Sequence, residues 1–171
     1  MSASSTLPNN INAETESPVN YLVNITFNEN NLNRPALSIA RTFIHEMIHA
    51  EIYRKLLSVA GQPQIQFNQN QLNQLKNDYP GLYDYYMRYE FNVPAGQNPS
   101  DAQHEAMAMH YRDIIEQALR QLDNTLSSDT YEALAWEGLK STKAWEKLPT
   151  AKQQSILLII SNFNKTNSNC Q

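Results

Sequence analysis

A single cysteine among 171 residues removes disulfides as a means of holding this fold together. Cys170 stands one residue from the C-terminus, where it closes no internal bridge and is poorly placed to ligate a buried metal. Stability has to come from a packed core, for which the length of one domain suffices. Long apolar runs are missing too: the longest, Ile156 to Ile160, is far too short to span a bilayer. The N-terminus has no basic start followed by an apolar stretch. The expectation is a soluble chain without export signal, cytoplasmic as written and secreted if excised from a larger protein. Charge is thin, at 18% of residues with a formal net charge of -4, and no block of Lys and Arg gathers on one helix face. Phosphate backbones find little to grip, so neither a nucleic acid nor a membrane is expected as partner. Polarity comes instead from Asn and Gln, which predicts a largely neutral surface.

Residues 1–19 combine Ser, Asn, Pro and Thr without apolar periodicity and read as a disordered lead-in that carries no chemistry. From Tyr21 to Phe27 the apolar Tyr21, Val23, Ile25 and Phe27 recur at every second position, the signature of a half-buried strand. It is the one clear strand. After a polar turn and Pro35, apolar residues return at helical spacing from Leu37 to Leu57, and Gly61 and Pro63 end that helix. Ile65-Gln66-Phe67 is a candidate partner for the strand, followed by a helical stretch from about Gln69 to Asp78. Tyr79, Tyr83, Tyr85, Tyr86 and Tyr89 crowd the next segment; packing is the favoured reading, a substrate groove the lesser one. Beyond the Pro94, Gly96 and Pro99 loop, Ser100 or Asp101 caps a helix running to about Asp123, with Met107, Tyr111, Ile114, Ala118 and Leu122 on one stripe. Helices from about Asp129 to Leu139 and from Thr150 to Phe163 follow, the second with Thr150 and Gln153 as a capping box. Trp136 and Trp145 read as core, and the tail over 164–171 as frayed. The fold class is α+β, mostly α: one domain over 20–163, with an N-terminal strand, or small edge sheet, packed on the first long helix.

That helix contains His45-Glu46-Met47-Ile48-His49. At 3.6 residues per turn His45 and His49 project from one side, while Glu46 is offset by about 100°. A zinc hydrolase needs three protein ligands and an open fourth position at which water becomes acidic near neutral pH; the pair supplies two ligands and Glu46 a general base. The apolar Ile39, Phe43, Ile44, Met47, Ile48 and Ile52 are expected to bury the helix, which makes the histidines costly without a partner. The two remaining histidines, His104 and His110, lie about 240° apart on a helix and cannot both face one ion. His104 continues the Met107 to Leu122 stripe and is the expected third ligand; His110 is the alternative, with a surface position or a bond to Asp113 as its bland reading. Glu105 is a weaker ligand candidate. Tyr111, on the His104 face, is a candidate donor to a developing oxyanion, with core packing as the more common use of such a residue.

The run Ile39 to Ala50, with Gln103-His104-Glu105-Ala106-Met107-Ala108-Met109-His110-Tyr111 far downstream, resembles the zincin superfamily of metallopeptidases. Within it the closest resemblance is to SprT-like domains and related uncharacterised bacterial metallopeptidases. In SprT-like domains the third ligand opens a helix and is followed by a bulky apolar residue, which His104 and Met107 match. The resemblance implies a strand ahead of the metal helix, a zinc cofactor and hydrolysis of a protein or peptide substrate. Zinc-ribbon cysteines, which some SprT-like proteins carry, are missing, and one route to DNA with them. Two other readings stand beside the peptidase: an exported effector or toxin module with a dedicated inhibitor, and a zinc-stabilised binding domain without catalysis.

Overall fold

The computed structural model describes residues 1–16, 18–60, 67–78, 83, 86 and 99–166. Three short strands come first: β1 (Ser2–Ser4), β2 (Ala13–Thr15) and β3 (Ile25–Asn28). They form one sheet in the order β1-β3-β2, with β1 parallel and β2 antiparallel to β3. The lead-in expected to be disordered thus supplies two of three strands. Its order comes from side-chain amides, to which apolar periodicity is blind. Asn28 is fully buried, and its Nδ2 donates to the backbone oxygens of Leu7, Pro8 and Ile11 at 3.3, 3.0 and 2.8 Å. Asn31 Nδ2 adds bonds to the oxygens of Asn9 and Ile11 at 2.9 and 3.0 Å. Asparagines read from composition as neutral surface here tie down a chain that has few apolar contacts of its own.

The expected strand over 21–27 is cut to its second half. Asn20 and Tyr21 take positive φ values of 51° and 66°, and Val19 and Leu22 exchange backbone hydrogen bonds at 2.9 Å across them. That turn leaves Tyr21 and Leu22 exposed, so the first beats of the alternation belong to a hairpin tip.

Among the described residues seven α-helices follow: α1 (Ala36–Ala60), α2 (Gln69–Asp78), α3 (Pro99–His110), α4 (Arg112–Leu122), α5 (Ser128–Trp136), α6 (Lys143–Glu146) and α7 (Thr150–Thr166). None is long and apolar enough to cross a membrane. α1 has two differently buried halves. In the second, Ile52, Tyr53, Leu56 and Leu57 enter the apolar core; in the first, the buried residues include Ser38, Arg41, Thr42, His45, Glu46 and His49. Phe43 and Met47, expected to bury the helix, are 40% and 44% exposed. Ile48 and Ile52 are buried as expected and Ile44 packs on the core, so a polar stripe runs inward beside the apolar one where the motif lies.

The helix expected to run unbroken to Asp123 is interrupted at Tyr111, with φ -118° and ψ -11°. Past the interruption Ile115 and Leu119 are fully buried while Ile114 and Leu122 are exposed, so the stripe extrapolated from His104 slips by one position, about 100°. α4 and α7 both pack on α5, and Trp136 meets Trp145 edge to face at 5.5 Å, as core. α6 is too short for a periodicity argument. Thr142 Oγ1 caps it by accepting from Trp145 N at 3.1 Å. Gln153 forms no capping box with Thr150; its Nε2 donates to the Trp145 and Leu148 carbonyls at 2.9 and 3.2 Å. α7 continues three residues beyond Phe163, and Asn164 Oδ1 accepts from Ser38 Oγ at 3.2 Å, so the expected fraying does not begin there. Ile65, Gln66 and residues 167–171 lie outside the described residues.

Candidate metal centre

His45 and His49 leave α1 one turn apart, and α3 brings His104 across to them. The Nε2 atom of His45 lies 3.2 Å from that of His49 and 3.2 Å from that of His104. The three potential ligand atoms all fall within 4.8 Å of one another. Nitrogen ligands bound at about 2.05 Å with tetrahedral angles stand about 3.3 Å apart, so the two measured edges suit such an ion. Among the described residues this is the one group of three or more His, Cys, Asp or Glu able to hold a metal, and it has three members.

Burial sets the protonation of these rings. His45 is 6% exposed and His49 8%. Desolvation holds the His45 pKa well below the usual imidazole range, with His49, Arg41 and His104 adding to the depression. Burial first and His104 second bring His49 down to about 4, against its hydrogen bond to Gln103, which raises it. Neutral imidazole is the form a metal requires. Gln103, 3% exposed and adjacent in sequence to His104, selects the tautomer. Its Oε1 accepts from His49 Nδ1, which leaves the His49 Nε2 lone pair directed at the common point.

Glu46 is buried beside this cluster on α1, and the lead-in reaches it. Thr15, the last residue of β2, donates its hydroxyl to Glu46 Oε2 at 2.7 Å and lies 3.1 Å from the Glu46 backbone oxygen. Burial raises the Glu46 pKa; the Thr15 hydroxyl and Arg41 pull it down, and Glu14 pushes it up. A carboxylate shifted upward and held by one hydroxyl donor is better disposed to take up a proton than a freely solvated one. One turn before His45, the guanidinium of Arg41 is 4% exposed and contacts the Glu137 carboxylate at 3.4 Å. Burial lowers the Arg41 pKa, while Glu137 and Glu46 oppose the shift.

His110 is exposed at the end of α3 and is not part of the cluster; of the two α3 histidines it is His104 that lies with His45 and His49. The stripe that favoured His104 was misdrawn beyond Tyr111, yet His104 precedes the interruption. Glu105 is not part of the cluster: its carboxylate accepts from the backbone N–H of Lys143 and from that of Ala144 at 3.4 Å, capping α6 and tying it to α3. The Tyr111 hydroxyl accepts from Lys55 Nζ at 2.7 Å, six residues and about 9 Å beyond His49 along α1, and its ring packs against the apolar core. Of the tyrosine-rich segment, Tyr86 is buried edge to face with Phe67 at 4.4 Å and Tyr83 packs on the core; Tyr79, Tyr85 and Tyr89 lie outside the described residues.

Sequence reasoning missed Thr15, Arg41, Gln103 and Glu137. For Gln103 a signal existed in its place beside His104, since a buried histidine ligand needs an acceptor for its second nitrogen. For Thr15 none did, because nothing local distinguishes it from its serine- and threonine-rich surroundings. No family model matches the chain, and no curated protein or solved structure matches it either.

Proposed function

We propose that this protein is a zinc-dependent metallopeptidase of the zincin type. The observation that carries the reading is the meeting of His45, His49 and His104, with the His45 Nε2 atom 3.2 Å from that of each of the other two and Glu46 buried next to His45 in sequence. Three imidazole nitrogens and no fourth protein donor among the described residues suit a catalytic zinc rather than a closed structural one. The pattern His-Glu-x-x-His, and its resemblance to zincins, is what assigns peptide bonds as the substrate.

When bound, zinc supplies Lewis acidity at the fourth position, strong enough to make water a nucleophile near neutral pH. Glu46 takes the proton of the attacking water and passes it to the leaving amine. Thr15 orients that carboxylate, and Gln103 keeps His49 in the tautomer that offers Nε2. We give Tyr111 no part in the reaction, because its hydroxyl sits against Lys55, about 9 Å beyond His49 along α1.

Protein purified without chelator should contain one zinc per chain by elemental analysis and should cut a mixed peptide pool, read by mass spectrometry. Glu46→Gln should retain the zinc and lose all cleavage. Absence of any transition metal, together with no gain in thermal stability on adding zinc, would sink the proposal.

A further inference from the structure

Among the buried polar atoms without a hydrogen-bond partner in the described residues are His45 Nδ1, Arg41 Nε and Glu137 Oε2. Two are donors once Nε2 of His45 is reserved as a lone pair, and the third is an acceptor. They belong to elements that meet at one place. Arg41 straps residue 137 from two sides, Nη1 donating to its backbone oxygen at 3.3 Å and Nη2 standing 3.4 Å from its carboxylate without hydrogen-bond geometry. The next residue is Gly138, at φ +89°. A Cβ there would lie 3.3 Å from Arg41 Nη1, 3.3 Å from His45 Cε1 and 3.6 Å from His45 Nδ1. The chain therefore runs along the ring edge that carries Nδ1, at a position where both backbone and space call for glycine.

Resting on the metal-centre reading above, we infer that Glu137, clamped by Arg41, is a positioning residue for His45. Its carboxylate takes the His45 Nδ1–H through one bridging water. A buried N–H without an acceptor is costly, and a carboxylate in the neighbourhood is the strongest acceptor on offer. A water at the junction accepts from His45 Nδ1–H and Arg41 Nε–H and donates to Glu137 Oε2, which makes the three bonds typical of a buried water. His45 then acquires what Gln103 provides for His49: a set tautomer, a fixed ring orientation and a more basic Nε2. Had Glu137 served only to neutralise Arg41, the His45 nitrogen would be left without an acceptor among the described residues.

The test is a titration of metal-free protein with Zn2+ and Co2+ against a chromophoric chelator, for wild type and Glu137→Gln. Loss of the outer carboxylate should weaken both metals about tenfold to a hundredfold and alter the visible spectrum of the cobalt form. An affinity within about twofold of wild type in a folded variant would show Glu137 to be a partner of Arg41 alone, and overturns the inference while the metal centre stands. Failure of wild type to bind either metal removes the metal centre and the inference together. Should Glu137→Gln not fold, a crystal structure of the zinc-loaded wild type decides. His45 Nδ1 one water from Glu137 supports the relay; Nδ1 bonded to any other acceptor overturns it.

Discussion

Thr15 Oγ1 donates to Glu46 Oε2 at 2.7 Å, joining an edge strand to α1 across a sequence separation of 31 residues. Replacing Thr15 by Val removes the hydroxyl with little change in shape. We expect zinc content to be unchanged, stability to fall by about 2 kcal/mol as a charge-assisted bond is lost, and turnover to drop about tenfold. Because the hydroxyl lowers the Glu46 pKa, its loss should also move the acid limb of the rate profile to higher pH. Thr15→Ser should restore all three properties. Metal analysis, urea unfolding and initial rates on a peptide pool check them; a Val variant with wild-type turnover would remove Thr15 from the site.

Metal-free protein should lose stability on acidification. The His49 pKa lies at about 4 in the folded chain, against 6.5 as its ordinary value, and His45 is depressed as well. Between those values the unfolded state binds more protons than the folded one, so unfolding free energy decreases as pH falls. The slope is about 1.4 kcal/mol per pH unit for each such histidine, and above pH 6.5 it vanishes. Urea midpoints from pH 7.5 to 4.5 measure it. Zinc should raise the midpoint most at pH 7.5, since protons compete for the same nitrogens in acid.

The two α3 histidines should separate cleanly. His104→Ala is expected to weaken zinc binding by more than about a hundredfold, a larger loss than an outer-shell change brings, whereas exposed His110→Ala should leave it unaltered. Equal effects from the two variants, read by chelator competition, would contradict the assignment of the third ligand.

Glu105→Ala distinguishes a capping carboxylate from a ligand. The variant should bind zinc as wild type does and lose about 1 kcal/mol of stability from the uncapped start of α6. Thermal unfolding with and without zinc would show this as an equal drop in both Tm values.

Legibility followed the range of the interactions. α2 was readable to its ends, and α1 nearly so, because apolar spacing and flanking Pro and Gly act within a few residues. The sheet was not: β1 and β2 are three residues each, shorter than any alternation can register, and their order depends on Asn28 and Asn31 amides that reach back 17 to 22 residues. The interruption at Tyr111 shows the limit of extrapolating a stripe, since one irregular ψ redirects every later side chain.

By itself the sequence determined that His45, Glu46 and His49 share a helix with the histidines on one side, because a period of 3.6 residues is a local property of the backbone. Only tertiary structure decided what faces that side. α3 brought His104 and Gln103, β2 brought Thr15, and the chain after α5 brought Glu137 and Gly138. Periodicity encodes a direction about one axis; which element arrives there depends on packing and on hydrogen bonds between distant segments.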